Sequence, residues 1–241
     1  RELKVKEDHM VCWMYKSHLV GVLVSLFKRS ISQTWLVRHS NITFRDNKIK
    51  TLVSVLLSGI FSFVVPKKIM FNSRAGVRSH KKYYCKSKMI FRPNFIEFPK
   101  IKTDPKYKQK LLVMVCRYDA HKNIPFAFHI FSQLKKFNKD FSLKLIGRGM
   151  DAENHDLQKL ISYHNLQGDI ELLGESSDPW GQLHETGIFL STSLGEGFPN
   201  SVAEAIVRGY PVVASNVGET KDIVNDFGRV LTAFDLDEFL D

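Results

Sequence analysis

With 241 residues, 44% hydrophobic and 25% charged, the chain has the composition of a folded globular protein and not of a disordered tail or a fibrous repeat. Its three cysteines, Cys12, Cys85 and Cys116, lie far apart with no C-x-x-C pair, which argues against a disulfide framework or a zinc site and fits a reducing cytoplasm. The net charge of +10 is uneven: residues 1–100 carry 20 Lys and Arg against 5 Asp and Glu, the rest 15 against 20, so the two parts are expected to meet different partners, a nucleic acid or an anionic membrane surface suiting the basic one.

In chain order, short β-rich runs alternate with amphipathic helical stretches. Val11 to Met14 is predicted as a strand, followed by a helix to about Arg29; Thr34 to Val37 is the next strand, with a helix from about Asn47; Lys68 to Phe71 is the third, with a helix to about Tyr83. That alternation is the pattern of parallel βαβ units. The most apolar run, Thr51 to Val65, contains three serines and a glycine and is short of the roughly twenty residues that span a bilayer. It is expected to be a buried helix, as is His18 to Phe27.

From Phe91 to Lys110, three prolines in a lysine-rich stretch interrupt the periodicity and read as a linker, dividing the chain into domains 1–100 and 101–241. The pattern then restarts. Strands are expected at Leu111 to Cys116, Ser142 to Gly147, Ile170 to Gly174, Gly187 to Thr192 and Pro211 to Asn216, with helices between; Ile124, Ala127, Phe128, Phe131 and Leu134 fall on one helical face. Five such strands with right-handed crossovers give a doubly wound sheet, order 3-2-1-4-5, whose ligand site lies beyond the carboxyl ends of the first and fourth strands.

Those two strands run into Arg117-Tyr118-Asp119-Ala120-His121-Lys122 and into Ser193-Leu194-Gly195-Glu196-Gly197-Phe198. One loop is cationic and the other glycine-rich. A helix beginning near Pro199-Asn200-Ser201 would offer free N–H groups to an anion, and Arg117 with Lys122 would add the fixed charge suited to a pyrophosphate. Glu204, one turn into that helix, leans back toward Glu196. Two carboxylates beside a phosphate serve best as acceptors for vicinal hydroxyls, and a phosphate flanked by two diols is a nucleotide sugar. Gly147-Arg148-Gly149 lacks the third glycine of a dinucleotide fingerprint and is expected to be a tight turn near the ligand. A carboxylate pair also suits a glycoside hydrolase, which has no need of the cationic loop.

The stretch "EGFPNSVAEAIVRGYPVVASNVGE" resembles the E-x7-E signature of the retaining glycosyltransferases of family 4 (group 1), and "VCRYDAHKNIPFAFHIF" is similar to that family's G-R-x-x-x-x-K-N segment. With "LKLIGRGMDAENHDLQKLISYHNLQGDIELLG" between them, the resemblance covers nearly all of residues 68–232. It implies an α/β protein of the GT-B type, two Rossmann-like doubly wound domains, with the N-terminal one incomplete and the closing helices missing, so that the chain is expected to be an internal fragment. It also implies that Glu196 contacts the donor sugar, Glu204 the ribose, and Arg117 and Lys122 the diphosphate, with Gly195, Gly197, Phe198, Asn200, Ser201, Gly147 and Gly149 lining the donor. In similar enzymes a histidine after a strand of the first domain touches the donor sugar; His39 is the match, with His18 competing.

The activity so implied is transfer of a glycosyl group, a hexosyl group in the usual case, from a nucleotide diphosphate sugar to a hydroxyl acceptor with retention. No cofactor or metal is expected, the leaving diphosphate being stabilised by Arg117, Lys122 and the helix. The acceptor is expected to be a lipid-linked or polysaccharide intermediate, and the basic first part fits peripheral docking on the cytoplasmic face of a membrane and not a nucleic acid. Two departures from the family pattern are Cys116 and Glu219, which replace glycines. An inactive nucleotide-sugar-binding module, a split-enzyme subunit, and another GT-B enzyme such as an epimerase or phosphorylase are the alternatives.

Overall fold

A computed structural model describes residues 8–40, 42, 48–97 and 106–231. By their contacts the residues form two compact units, Arg1–Asn94 with Glu196–Phe198, and Phe95–Gly195 with Pro199–Asp241.

The first unit contains β1 (His9–Trp13), α1 (Met14–Phe27), β2 (Ser32–Val37), α2 (Ile49–Phe61), β3 (Lys68–Phe71), α3 (Arg74–His80) and β4 (Met89–Phe91). The strands lie in chain order, β1-β2-β3-β4, all parallel. Right-handed crossovers that always step the same way leave their helices on one face of the sheet. That face buries Cys12, Trp35, Val37, Ile69 and Phe71 against Tyr15, Val22, Val55 and Tyr84. Two of its helices start for a local reason: Met14 at φ 65 turns β1 sharply into α1, and the Ser73 hydroxyl accepts from Gly76 N at 2.9 Å to cap α3.

Two expectations need correcting here. Neither α1 nor α2 is a buried helix. Each buries one stripe (Tyr15, His18, Gly21 and Val22; Leu52, Val55, Ser58 and Gly59) and exposes another, with Leu26, Phe27, Ile49 and Ile60 all open to solvent. Their apolar residues are nearly continuous around the helix, so periodicity could not separate the two sides. The linker expected from Phe91 to Lys110 is shorter, because Met89–Phe91 pairs with β3 and Lys106 already belongs to a strand; residues 98–105 lie outside the described residues. The second predicted helix, expected from about Asn47, begins at Ile49 in agreement with that reading, Asn47 itself lying outside the described residues.

The second unit comprises β5 (Lys106–Val115), α4 (Ile124–Phe137), β6 (Ser142–Ile146), α5 (His155–Tyr163), β7 (Ile170–Leu172), β8 (Glu185–Ser191), α6 (Asn200–Ile206), β9 (Val212–Ser215), α7 (Thr220–Val224) and β10 (Gly228–Leu231). Its parallel sheet has the order β10-β9-β8-β5-β6-β7, the expected doubly wound order extended by a sixth strand that sequence reading missed. Successive side chains of each strand point to opposite faces. Leu112, Met114, Leu143 and Leu145 meet Phe128 and Phe131 of α4 and Leu157 of α5, whereas Leu111, Val113, Phe189 and Val212 meet Val202 and Ala205 of α6 and Val224 of α7. Both faces are therefore covered, as a parallel sheet requires, and the winding reverses between β5 and β8.

Candidate functional site

The loops leaving β5 and β8 are tied together at that reversal. The Thr192 hydroxyl donates to the carbonyl of Lys122 at 2.9 Å, and Leu194 N donates to the carbonyl of His121 at 2.8 Å. On the far side of β8 the Ser215 hydroxyl donates to Ser193 O at 2.7 Å. The β5 loop is built on Asp119, whose carboxylate accepts from His121 N at 2.9 Å and caps the turn Ala120–Lys122, while Asn123 at φ 49 starts α4. That backbone N–H, with the Arg117 guanidinium 3.3 Å away, holds the Asp119 carboxyl below its ordinary range. Lys122, Cys116, Ser193 and Ser201 line one narrow cleft.

The loop after β6 packs against the same strand end. Tyr118 N donates to Arg148 O at 2.8 Å, and Gly147 N to Gly174 O at 2.8 Å. Gly147 has φ +140, and a Cβ there would lie 2.2 Å from Cys116 O, so only glycine fits. Gly149, at φ +75, packs on Tyr118 in the same way. Arg117, Arg148, Gly147 and Glu175 border a cavity of about 360 Å³ open to solvent. A larger cavity of about 830 Å³ between α4 and α5 lies at the helices' C-terminal ends, away from the strand ends. Its Lys135 is already held by Asp169 at 2.6 Å and by two backbone carbonyls.

Glu204 sits on α6, and its Oε2 accepts from the Trp180 indole N–H at 2.9 Å. Arg208, one turn on, donates to the Glu204 carbonyl at 3.0 Å and lays its guanidinium 5.0 Å from the Trp180 ring centre. This bracing of the carboxylate was not legible in the sequence, because Trp180 stands in an irregular turn with no periodicity to orient it. Asn200 is exposed and Ser201 and Gly195 half-buried, at the strand ends of the second unit.

Glu196, Gly197 and Phe198 group with the first unit, where the Ser40 hydroxyl donates to the Glu196 carbonyl and a Cβ on Gly197 would meet Asn72 Oδ1 at 2.8 Å. His39 follows β2 and its Nδ1 lies 3.2 Å from the Tyr15 hydroxyl. His18, its competitor, is wholly buried, stacked on Trp35 at 4.5 Å, with Nε2 on the Leu36 carbonyl; burial pushes its pKa down to about 4. It is a packing residue.

Among the described residues no three His, Cys, Asp or Glu side chains gather as a metal site. An Asp-x-Asp pair, Asp235 and Asp237, does occur in the sequence, in the part outside the described residues. Nor, among the described residues, is any helix long and apolar enough to cross a membrane.

The chain is 26% identical over 181 residues to the capsular polysaccharide biosynthesis glycosyltransferase CapH of Staphylococcus aureus, covering 73% of this chain and 50% of that one. It is 32% identical over 127 residues to the poly(glycerol-phosphate) alpha-glucosyltransferase of Bacillus subtilis, covering 52% of this chain and 18% of that one. The crystal structure of Anabaena HepE in complex with UDP and glucose superposes with a TM-score of 0.76 at 16% identity, over 95% of this chain and 66% of HepE. The chain thus spans half or less of these curated relatives, and the likeness to HepE shows the GT-B fold. Residues 96–238, more than half of the chain, match the family described as Glycosyl transferases group 1, and on that match, joined to the fold and the loops at its point of reversal, the chain belongs to the group 1 glycosyl transferases.

Proposed function

We propose that the protein of which this chain is part transfers a hexosyl group from a nucleotide diphosphate sugar to a hydroxyl acceptor, with retention at the anomeric carbon. The observation that carries the reading is the joining of the β5 and β8 loops where the sheet reverses, with Arg117 and Lys122 on one and the α6 carboxylate Glu204 following the other. Arg117 and Lys122 take the diphosphate and stabilise its charge as it leaves. Glu204, held by Trp180, accepts from the ribose hydroxyls, and Glu196 and His39 serve the donor sugar. Gly147 and Gly149 allow the backbone to approach the donor closely, and Gly195, Gly197, Phe198, Asn200 and Ser201 complete its lining.

The relatives' names, a capsular polysaccharide enzyme and a poly(glycerol-phosphate) glucosyltransferase, support a polymeric or lipid-linked acceptor. The basic first hundred residues and the exposed apolar stripes of α1 and α2 support peripheral docking on the anionic cytoplasmic face of a membrane.

Titration calorimetry with uridine and guanosine diphosphates tests the site. Each of Arg117→Ala and Lys122→Ala is expected to weaken binding by about 1.5–3 kcal/mol, the worth of one charged hydrogen bond. Parent-like binding by both variants would sink the assignment.

A further inference from the structure

The turn between α2 and β3 carries its apolar side chains outward. Phe63 is 61% and Val64 81% exposed, while Ser62 beside them is wholly buried. Polar ties to the backbone, and not the apolar side chains, hold this turn in shape. Lys88 Nζ donates to the carbonyls of Ser62 at 3.1 Å and Phe63 at 2.8 Å, the Ser62 hydroxyl accepts from Cys85 N at 2.8 Å, and Val64 N and Val65 N donate to Phe61 O at 3.1 and 3.0 Å. A turn whose carbonyls already have donors gives up little hydration on entering an apolar medium.

The charge of this stretch has one sign. Residues 48–96 hold eleven Lys and Arg and no Asp or Glu. Lys67 and Lys68, both exposed, follow the turn in sequence. Lys81, Lys82 and Lys86, also exposed, belong to the segment packed beside it, joined through the Cys85 hydrogen bond and through Gly59, where a Cβ would lie 2.6 Å from Tyr83 O. At the same end of the sheet, Asp8 is taken by Lys28.

We propose that residues 62–65 are the point at which the first unit enters an anionic lipid bilayer, with Phe63 and Val64 at the boundary of headgroups and acyl chains and the surrounding lysines on lipid phosphates. The inference rests on the peripheral docking read above and assigns it a contact surface. An apolar tip within a cationic ring binds such an interface through buried area and electrostatic attraction together. A second copy of the chain is a poorer occupant: facing turns would set the same lysines against one another, and two side chains bury far less than the roughly 1,200 Å² of a stable interface. The turn precedes β3, at the amino ends of the strands, so docking there leaves the carboxyl ends, where His39 follows β2, uncovered.

Co-sedimentation of the 241-residue chain with vesicles of phosphatidylcholine mixed with phosphatidylglycerol, and of phosphatidylcholine alone, tests this. The parent is expected to bind the mixed vesicles, to release them as salt rises, and to leave phosphatidylcholine unbound. Phe63→Ser combined with Val64→Ser should bind about tenfold more weakly. Lys81→Gln, Lys82→Gln and Lys86→Gln should each bind about fivefold more weakly. Melting temperatures should stay with the parent, because all five side chains are exposed. Val64→Trp reads the position: brominated acyl chains should quench its fluorescence beyond what Trp13, Trp35 and Trp180 show in the parent. Mixed vesicles bound equally by the parent and by both sets of variants would overturn the assignment to this turn and leave peripheral docking standing. A parent that binds neither vesicle would overturn both. Equal binding to the two vesicle types, or an unquenched Val64→Trp on vesicle-bound chain, would also overturn the proposal. So would a parent dimer that Phe63→Ser with Val64→Ser dissolves without any change in vesicle binding.

Discussion

The two units share one construction rule and use it to different ends. In the first, β1 to β4 are laid down in chain order, so every crossover helix falls on one side, and the opposite face keeps Val11 55% and Trp13 47% exposed. In the second, the chain steps outward from β5 to β7, returns to the other side of β5, and steps outward again to β10. That single reversal clothes both faces of the sheet, and it also makes two loops from distant parts of the sequence, 117–123 and 192–195, leave neighbouring strands with their helices diverging. A cleft with cationic and carboxylate side chains results from topology before any residue is specialised. The first unit has no such reversal among its described residues, and what it offers chemically is a strand-end histidine beside buried rings.

The comparison can be broken first at the cores. Phe131 is fully buried between α4 and the sheet of the second unit, so Phe131→Ala should cost about 3–5 kcal/mol, whereas Val11→Ala on the open face should cost less than about 0.5. Urea unfolding followed by hydrogen exchange, read separately on peptides from β2 and β6, would measure both. Comparable losses from the two substitutions would mean that the open face is packed after all.

Acid should separate the units next. His18 and His80 in the first unit have folded pKa values pushed down to about 4 and about 3 by burial, against 6.5 in the unfolded chain. The unfolded state therefore binds more protons across that window, and stability falls as pH drops: it is complete above about 6.5 and lost progressively toward pH 4 and below, by a few kcal/mol in order of magnitude. In the second unit His164 is lowered, through modest burial and the neighbouring His129. Exchange protection should thus fail in β2 before β6 as pH falls from 7 to 4.5. Simultaneous failure would remove the distinction.

The sequence revealed the second unit more fully than the first, for physical reasons. Strands β5, β6, β8 and β9 are short apolar runs bounded by glycine, proline or charge, and α4 has a clean stripe from Ile124 to Phe131, so their order and the loops at the reversal could be placed. Helices α1 and α2 are apolar on nearly every side, and their half-exposed state depends on what stands opposite, which no period encodes. β10, GRVL, has only two apolar residues, and β4, MIF, runs straight into the proline- and lysine-rich stretch read as a linker, so neither stands out as a strand. At the site, Arg117, Lys122, Gly147 and Glu204 were legible as residue types at strand and helix ends; the Trp180 hydrogen bond and the Tyr15–His80 hydrogen bond join positions 24 and 65 residues apart, with nothing in local pattern to pair them.

Two glycines of the second unit sharpen the comparison within one site. Gly147→Ala forces an L-residue to φ +140 with its Cβ on Cys116 O, and should cost on the order of 1–3 kcal/mol and weaken nucleotide binding as the β5 and β6 loops part. Gly195→Ala finds nothing within 4 Å of the new methyl group, so stability should stay within about 0.5 kcal/mol. Paired thermal melts decide it, and equal shifts would show that the backbone at 147 relaxes freely.

The smallest effect is expected on the exposed side of α2. Ile60 projects from the last turn of α2 with 64% of its surface in solvent. Little apolar area is lost on replacing it, and a cation at a helix C-terminus is favourable by a few tenths of a kcal/mol. Ile60→Lys should therefore leave the stability of the chain within about 0.5 kcal/mol. Its effect should appear instead in self-association, because the exposed apolar side chains of α1 and α2 favour contact between chains and a lysine among them opposes it. Light scattering across a concentration series would show weaker association for Ile60→Lys than for the parent. A loss of stability comparable to that of Phe131→Ala would instead mean that Ile60 is packed in solution, and that the first unit is as fully covered as the second.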